Sequence, residues 1–262
     1  MNIALTGKNA LVCGSSQGMG KAIALELAVL GANVTLFARN KSRLTAVLHE
    51  LDTSQSQKHE ILVADFFMPD EVKSAVENKI NEGKIYHILV NNTGGPPPGL
   101  IIDAEASEFI RGFTAHLINN QQLAQLLVPG MKKEKYGRII NVISTSVKVP
   151  IPGLGVSNTI RGAVASWAKT LSNELAPLGI TVNNILPGFT DTARLDALFE
   201  RKASESGMSK AEYAEMAKKE IPARRLADPA ETAYAAAFLA SPSAGYITGI
   251  SLPVDGGKIP SL

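Results

Sequence analysis

The chain has 262 residues, a formal charge of +2 and a single cysteine, Cys13. This length suits one large α/β domain and is sufficient for a sizeable buried core. One cysteine excludes a disulfide framework and a cysteine-based zinc site. The four histidines lack the helical spacing of the usual metal-binding motifs, so we expect no metal.

Charge and hydropathy argue against two further classes of protein. The basic residues are scattered and aromatic residues make up 5% of the chain, which disfavours a nucleic-acid-binding surface. No apolar run reaches the roughly 18 residues that would span a bilayer, and the N-terminus lacks the features of a signal peptide. We therefore expect a protein of the cytoplasm that binds neither nucleic acid nor membrane.

Short apolar runs alternate with helical patterns along nearly the whole chain. The predicted strands span residues 10–13, 33–38, 59–63, 87–91, 138–143, 181–186 and 249–254. The predicted helices span residues 18–30, 41–51, 70–80, about 104–127, 156–178 and 229–239. Continuous apolar strands are typical of a parallel sheet that is covered on both faces. The sequence thus predicts an α/β fold with a doubly wound parallel sheet, helices on both faces, and a single domain over residues 1–262.

Two segments interrupt this alternation. Residues 94–99 contain three consecutive prolines, which favour a rigid loop. Residues 192–223 form a long, polar and helix-prone connection after the sixth strand, and we expect this segment to be a lid over a substrate. Three arginines in or beside it either recognise an anionic substrate or lie on a solvated surface: Arg194, Arg224 and Arg225.

A glycine-rich turn joins the first strand to the first helix. Gly14, Gly18 and Gly20 form a GxxxGxG pattern there. Such glycines allow a tight turn and let backbone approach a pyrophosphate, while the helix N-terminus supplies free N–H groups. We therefore predict that a dinucleotide is bound by Gly14, Ser15, Ser16, Gln17, Gly18, Met19 and Gly20. The alternative is an ordinary turn that happens to be rich in glycine.

The next three strands end in residues that suit the rest of a dinucleotide. Arg39 follows the second strand, where an arginine favours the 2′-phosphate of NADP, unless it is merely an exposed residue before a helix. Asp65 follows the third strand and can accept a hydrogen bond from adenine or, alternatively, lie in a helix N-cap. Asn91, Thr93 and Gly94 end the fourth strand and either face the cofactor or form a plain turn. These residues predict NADP(H), with NAD(H) as the second choice.

Several motifs, taken together, are specific to one family. They are the glycine turn, Asn91-Asn92-Thr93-Gly94, Gly137-Arg138-Ile139-Ile140-Asn141-Val142-Ile143-Ser144, Pro187-Gly188, and Tyr246-Ile247-Thr248-Gly249 with Asp255-Gly256-Gly257. With these motifs the chain resembles the short-chain dehydrogenase/reductase family, close to its 3-oxoacyl-[acyl-carrier-protein] reductases. The resemblance implies a seven-stranded Rossmann sheet, an NAD(P)(H) cofactor and often a tetramer. It also implies a contact with nicotinamide and pyrophosphate from Pro187, Gly188, Thr190 and Thr192, although Thr192 alternatively caps a helix.

The chemistry of that family uses an asparagine, a serine, a tyrosine and a lysine, and this chain departs from three of the four. Ser144 matches the serine that hydrogen-bonds the reacting oxygen, with a strand-end serine that merely caps a loop as the alternative. The tyrosine and lysine positions fall on Ser157 and Arg161. The asparagine position falls on His116. The resemblance therefore implies an active site with an altered proton donor.

These substitutions leave two hypotheses. In the first, Ser144 binds the reacting oxygen, Arg161 holds the nicotinamide ribose, and the proton is moved by His116 or by a water that it holds. A histidine suits acid–base work because its ordinary pKa is about 6.5. In the second, the chain binds the dinucleotide as a sensor or scaffold without efficient catalysis. His116 is then a buried histidine bonded to backbone, and Ser157 is a helix N-cap.

The first hypothesis describes an NAD(P)(H)-dependent oxidoreductase that interconverts a carbonyl and an alcohol. Its substrate is expected to be a small molecule, either free or attached to an acyl carrier protein. A homodimer or homotetramer is the expected assembly, because the family often assembles in this way.

Overall fold

The computed structural model describes residues 1–260, and within that span seven parallel strands form one sheet. The strands are β1 (Asn9–Cys13), β2 (Asn33–Ala38), β3 (Glu60–Val63), β4 (Ile88–Asn91), β5 (Gly137–Val142), β6 (Ile180–Pro187) and β7 (Ser251–Val254). Their order across the sheet is β3-β2-β1-β4-β5-β6-β7, with every neighbouring pair parallel. The predicted doubly wound Rossmann sheet is confirmed. Residues 261–262 of the predicted domain lie outside the described residues.

Helices cover both faces of this sheet. They are α1 (Gly18–Val29), α2 (Lys41–Leu48), α3 (Pro69–Asn81), α4 (Ala106–Phe113), α5 (Asn119–Lys133), α6 (Gly155–Leu175), α7 (Ala193–Ser206), α8 (Lys210–Lys219) and α9 (Pro229–Ala240). One apolar core joins α1, α2 and α9 to the sheet through side chains such as Ile23 and Leu44. A second core joins α3, α5 and α6 through side chains such as Val76 and Leu127. Burial of each such side chain stabilises the fold by roughly 1.5–3 kcal/mol, so the two cores support the strand ends firmly.

The long helical stretch after β4 differs from its predicted form. The sequence predicts an end near residue 127, but α5 continues through Pro129 to Lys133. Residues Thr114–Ile118, between α4 and α5, form a π-helical turn that the sequence did not predict. Such turns are rare and often occur at functional sites. This one carries His116.

Residues 192–223, expected from the sequence to form a lid, consist largely of α7 and α8. The two helices pack together around Phe199 and Ala217, with Phe189 and Leu226 at the base of the segment. The segment is therefore a helical pair with its own small apolar core, as its helix-prone composition predicted.

β1 and β4 are neighbours at the centre of the sheet, although β2 and β3 come between them in the chain. The connections run outward in opposite directions from this point, which opens a crevice at the carboxyl ends of the strands. The glycine turn leaves β1 at this edge, and the segments after β4, β5 and β6 begin there. The fold therefore gathers most of the predicted site residues along one edge.

Some chemical features are missing from residues 1–260. No three histidine, cysteine, aspartate or glutamate side chains in this span are grouped so that they could hold a metal ion. None of its helices combines the length and apolar character needed to cross a bilayer. Cys13 is buried at the end of β1, and burial raises the pKa of its thiol, so it packs as a small apolar side chain.

Candidate active site

The glycine turn, residues 14–20, is held against the end of β4 by Asn92. The side-chain amide of Asn92 donates to the carbonyl oxygens of Cys13 and Gly14, over 3.3 and 3.2 Å. Gly14 has a φ of +60°, and a Cβ atom there would lie 2.1 Å from the Asn92 carbonyl oxygen. A Cβ atom on Gly20 would lie 2.2 Å from the Gly14 carbonyl oxygen. Neither glycine accepts a side chain, and Asn92 is a positioning residue that was missing from the predicted site.

The first turn of α1 presents backbone N–H groups without side-chain partners. Gln17 is the N-cap, and its side chain makes no capping hydrogen bond. The first turn contains no acidic residue. Free N–H groups and the partial positive charge at a helix N-terminus favour an anion such as a phosphate. The turn therefore has the donors that a pyrophosphate needs.

Two side chains of the glycine turn serve the fold instead. Ser15 is fully buried, and its hydroxyl accepts a hydrogen bond from the Phe37 N–H over 2.9 Å. Met19 packs against the core around α1. The Ser15 side chain is therefore occupied by the fold, and the backbone N–H groups of both residues remain the donors expected for a dinucleotide. Ser16 is half-buried and Gln17 is exposed, so their side chains remain accessible.

The segment after β6 lies against the glycine turn. A Cβ atom on Gly18 would stand 3.5 Å from the methyl carbon of Thr192. Thr192 is the N-cap of α7, as the structural alternative predicted, and its hydroxyl also lies 3.3 Å from the Thr190 carbonyl oxygen. Pro187 ends β6, and the Gly188 N–H donates to the carbonyl oxygen of Val254 on β7 over 2.9 Å. The structure thus brings residues 187–192, predicted to contact nicotinamide and pyrophosphate, against the glycine turn.

A cavity of about 500 Å³ lies beside the carboxyl ends of β2 and β3, and its lining includes Arg39 and Asp65. The Arg39 side chain is 71% exposed, and its guanidinium is 3.9 Å from the Asp65 carboxylate. That carboxylate also accepts a hydrogen bond from the Phe67 N–H over 3.0 Å. The N-cap of α3 is Met68, so Asp65 does not cap this helix. The two predicted adenosine-side residues therefore face one cavity.

Arg43, in the first turn of α2, is a second cation near this cavity that the sequence did not single out. Its guanidinium donates to the Gln17 side-chain oxygen over 2.7 Å, which links α2 to the glycine turn. Asn40 caps α2 by accepting from the Arg43 N–H, and it also lines the cavity. The spacing Arg39-Asn40-x-x-Arg43, with the N-cap between two arginines, is the signal that could have revealed it.

Asn91 belongs to a row of side chains that crosses the sheet. Its Nδ2 donates to Asn141 Oδ1 over 2.8 Å, Asn141 Nδ2 donates to Asn184 Oδ1 over 2.9 Å, and Asn184 Nδ2 donates to Ser251 Oγ over 3.1 Å. These residues are register partners on β4, β5, β6 and β7. The Oδ1 of Asn91 is buried without a partner among residues 1–260. Asn91 thus ties the strand ends together and leaves one acceptor without a partner among residues 1–260.

His116 is 3% exposed within the π-helical turn. Its Nδ1 lies 2.6 Å from the Thr93 hydroxyl, and a hydrogen bond joins it to the Gly94 backbone. Burial, followed by the charges of Arg161 and Arg194, lowers the pKa of His116 well below its ordinary value. The imidazole is therefore neutral at neutral pH. The expectation that an ordinary pKa fits it for acid–base work is wrong, and the alternative of a buried, bonded histidine describes its surroundings better.

Ser144 lies two residues after β5, and Ser157 and Arg161 lie on α6. Ser157 and Arg161 are one helical turn apart, and both are buried. The Arg161 guanidinium donates to the Val142 carbonyl oxygen over 3.2 Å, two residues before Ser144. The Ser144 hydroxyl accepts a backbone N–H over 3.0 Å. The N-cap of α6 is Leu154, so the interpretation of Ser157 as an N-cap is wrong.

The proline loop, residues 94–99, is fixed to the segment that precedes α6. The Gly99 N–H donates to the Gly153 carbonyl oxygen over 2.8 Å. The Gly155 N–H donates in turn to the Gly99 carbonyl oxygen over 3.1 Å. This short bridge anchors the far end of the loop beside the start of the helix that carries Ser157.

The lid touches the same loop from α7. Arg201 donates to the Pro98 carbonyl oxygen over 3.3 Å. The Arg194 guanidinium lies so close to Gly95 that a Cβ atom there would stand 2.6 Å from one of its nitrogens. The proline loop and α7 therefore form one continuous wall beside His116 and Arg161.

Arg224 and Arg225 make other contacts. Arg224 donates to the Lys219 carbonyl oxygen at the end of α8. Arg225 pairs with Glu231 of α9 over 2.6 Å. Of the three arginines considered from the sequence, the structure brings Arg194 alone to this wall.

A family model described as enoyl-(acyl carrier protein) reductase matches residues 14–258. The chain belongs to the short-chain dehydrogenase/reductase family. The matched span begins at the glycine turn and ends just after β7, so the resemblance inferred from the motifs is confirmed.

Relatives of the chain are oxidoreductases over its whole length. The NADPH-dependent reductase BacG of Bacillus subtilis is 30% identical over 98% of this chain and 100% of its own. The 3-oxoacyl-[acyl-carrier-protein] reductase FabG of Vibrio cholerae is 34% identical over 97% of this chain and 98% of its own. The crystal structure of L-sorbose reductase from Gluconobacter frateurii, complexed with NADPH and L-sorbose, superimposes with a TM-score of 0.93 at 30% identity and covers 100% of both chains.

Proposed function

We propose that this protein is an NADP(H)-dependent oxidoreductase that interconverts a carbonyl and an alcohol in an active site without the tyrosine and lysine of its family. The observation that carries the proposal is the contact between the glycine turn and the segment after β6, at the central crevice of the sheet. Backbone N–H groups that can donate to a phosphate, the hydroxyl groups of Thr190 and Thr192, and the buried guanidinium of Arg161 all lie along this edge of the sheet.

The residues present fit NADP(H). The first N–H groups of α1 have no competing side-chain cap and would hold the pyrophosphate. Arg39 lines the cavity beside β2 and β3, and its guanidinium favours a 2′-phosphate over a hydroxyl. Arg43 adds a second guanidinium between this cavity and the glycine turn, where it donates to Gln17. A relative named as NADPH-dependent and a solved structure complexed with NADPH support this preference, with NAD(H) as the second choice. When bound, the cofactor supplies hydride to a carbonyl carbon.

Ser144 and Arg161 act on the reacting oxygen. The Ser144 hydroxyl already accepts a backbone hydrogen bond, so its own hydrogen is available to the substrate oxygen. One N–H group of Arg161 donates to the Val142 carbonyl oxygen. Its other N–H groups can bind the ribose and stabilise the negative charge that develops on the reacting oxygen. A fixed cation in a buried site stabilises such charge more than it would in water.

Water supplies the proton in this proposal, and His116 positions the site. A neutral imidazole held by Thr93 and Gly94 is a poor acid, but it fixes the end of β4 beside the crevice. A water held by His116 or by the buried hydroxyl of Ser157 would deliver the proton to the alkoxide. The turnover rate is then limited by a weaker donor than a phenol.

A second function, NADP(H) binding without turnover, is favoured by the positions of the tyrosines. All five lie away from Ser144 and Arg161: Tyr86 in a core, Tyr136 on the Ala240 carbonyl, Tyr213 against Phe199, and Tyr234 and Tyr246 on the surface. The site therefore lacks the phenol that donates the proton in the rest of the family. A sensor or scaffold protein would retain the cofactor site and show no turnover.

The proposed substrate is a small carbonyl or alcohol compound, either free or attached to an acyl carrier protein as for the FabG relative. We also propose a homodimer or homotetramer. A groove of about 520 Å³ between α5 and α6, with Val128 and Leu171 in its lining, offers an apolar contact surface. Size-exclusion chromatography with light scattering measures the mass of the assembly. A monomer would contradict the proposed homodimer or homotetramer.

A carbonyl panel monitored by NADPH absorbance tests the proposed reaction. The expected result is turnover that falls about 100-fold in Arg161→Gln, because an electrostatic contact to the reacting oxygen has this order of effect. Arg161→Lys, which keeps the charge, should retain most of the activity. Tight NADPH binding with no turnover on aldehydes, ketones or oxo acids would favour the sensor function instead.

A further inference from the structure

Arg161 is a buried cation for which the fold provides no carboxylate. It is 7% exposed, and its guanidinium donates to the Val142 carbonyl oxygen over 3.2 Å. Within residues 1–260, neither Arg161 nor Arg194 takes part in an ion pair. Arg138 is also buried, at 4% exposed, and its guanidinium donates to the carbonyl oxygens of Ser241, Gly137 and Gly179. Arg161 has one such contact, so its remaining N–H donors are available to an anion from outside the chain.

Arg194 adds a second positive charge to the same region. Its guanidinium lies against Gly95 of the proline loop. Burial, and after it the charge of Arg194, lowers the pKa of Arg161, and burial with the charges of Arg161 and Arg194 lowers the pKa of His116. The guanidinium groups keep their protons, because arginine does not deprotonate in proteins. The three groups therefore share one electropositive region that the neutral imidazole of His116 does not relieve.

Three other arginines in the described residues have carboxylate partners. Arg39 faces Asp65 at 3.9 Å, Arg201 pairs with Glu205 at 2.8 Å, and Arg225 pairs with Glu231 at 2.6 Å. The remaining arginines of this span have no ion pair, and Arg194 is itself exposed. Arg161 is therefore distinguished by its burial with a single hydrogen-bond acceptor, the Val142 carbonyl oxygen.

We propose that Arg161 and Arg194 bind a carboxylate of the substrate, so that the enzyme acts on oxo acids and hydroxy acids in preference to neutral carbonyl compounds. A carboxylate accepts two parallel hydrogen bonds from a guanidinium and pairs both positive charges at once. The reacting carbonyl would then lie next to the acid group, within reach of Ser144. This inference rests on the proposed reductase function for its substrate, but the anion site can be measured separately.

Calorimetry with malonate tests the anion site without turnover. Malonate, titrated into protein saturated with NADP⁺, should bind, whereas its neutral diamide should not. Arg194→Gln should weaken malonate binding at least about tenfold, as expected for loss of a charged hydrogen-bonding partner. Arg224→Gln removes the same charge from an exposed position and should bind like the wild type. Arg194→Lys, which keeps the charge, should lie between the two.

Two outcomes of that titration would overturn the inference. One is equal malonate affinity in the wild type and Arg194→Gln. The other is binding to the cofactor-free protein alone, because the phosphates of the cofactor would then be the anion that the arginines pair with. Thermal unfolding of each variant shows whether a loss of binding reflects a loss of fold.

Paired substrates separate this inference from the reductase function. Each oxo acid in the panel is compared with its methyl ester, and the acid should be preferred at least about tenfold in kcat/KM, with the preference lost in Arg194→Gln. Equal rates on acid and ester would leave a reductase and reject the carboxylate site. Malonate binding with no reduction of any carbonyl compound would establish the anion site and reject the reductase.

Discussion

The two ends of the crevice relate differently to the family to which the chain belongs. At the phosphate end, binding depends on backbone: glycines without Cβ atoms, an uncapped helix start and the amide of Asn92 that fixes them. At the chemical end, around Ser144 and Arg161, the proposed reaction depends on side chains, and the resemblance implies that His116, Ser157 and Arg161 replace the family's asparagine, tyrosine and lysine. Backbone donors at one end do not depend on which groups transfer a proton at the other. A dinucleotide site can therefore persist beside an altered catalytic site.

Gly20→Ala should disrupt cofactor binding at the glycine turn, and this is the largest effect we expect. Its Cβ atom would lie 2.2 Å from the Gly14 carbonyl oxygen, so the backbone of the turn must move. We expect NADPH affinity to fall at least about 100-fold, since each 1.4 kcal/mol is about tenfold. Calorimetric titration of NADPH measures this change.

Two further glycine variants grade that effect. Gly18→Ala places a side chain at a φ of +56° with only ordinary contacts around it. We therefore expect a smaller loss of NADPH binding free energy, about 1–2 kcal/mol. Gly162→Ala lies on α6, where a Cβ atom would meet nothing within 4 Å, and should leave NADPH binding unchanged. Equal affinities in all three variants would show that the turn does not contact the cofactor.

Local patterns predicted the backbone features well. The apolar runs predicted every strand, because buried parallel strands are apolar on both faces, and the glycine spacing predicted the turn. Sequence position does not show burial or charge from distant segments. The lowered pKa of His116, the unpaired state of Arg161 and the contact of Arg194 with Gly95 all arise from helices far apart in the chain. The helix predicted to end near residue 127 continues through Pro129 to Lys133, although proline usually ends or kinks a helix.

The double variant Ser157→Tyr with Arg161→Lys should increase the reductase activity. If the residues on α6 occupy the family's geometry, a phenol beside an ammonium group supplies the missing proton donor. General acids contribute about 10²-fold or more, so turnover on a neutral ketone should rise by about this factor. Steady-state rates with NADPH provide the measurement, with each single variant as its control. No gain in a folded, NADPH-binding double variant would mean that the chemical end has a different geometry.

Arg39→Ala should remove the preference of the cavity beside β2 and β3 for NADPH over NADH. The parent protein is expected to bind NADPH more tightly than NADH, because the arginine meets the 2′-phosphate. Its removal should weaken NADPH binding about tenfold and leave NADH binding unchanged. A parent protein with equal affinities for the two cofactors would reject the role of Arg39.

The smallest expected effect concerns His116 and pH. Its pKa is lowered in the folded state, so the unfolded chain binds more protons below about pH 6.5. The stability of the fold is therefore complete above this pH and falls as the pH drops, by up to about 1.4 kcal/mol per pH unit for one group. Urea unfolding should show a weaker acid dependence in His116→Gln than in the wild type. A residual dependence should remain, because burial also lowers the pKa of His87.

The same variant tests the catalytic role of His116. A positioning role predicts that kcat in the wild type shows no inflection near about pH 6.5 and that His116→Gln, which can still hydrogen-bond Thr93, keeps most of the activity. An inflection there that disappears in the variant would restore His116 as the acid.

Hydrogen–deuterium exchange with and without NADPH tests the central claim most directly, since backbone N–H groups at the start of α1 are proposed to hold the pyrophosphate. The account predicts that NADPH slows exchange at residues 16–20 and in the loop at residues 188–192, with no comparable change on the exposed face of α8. NADPH binding that leaves exchange at the glycine turn unchanged would contradict it.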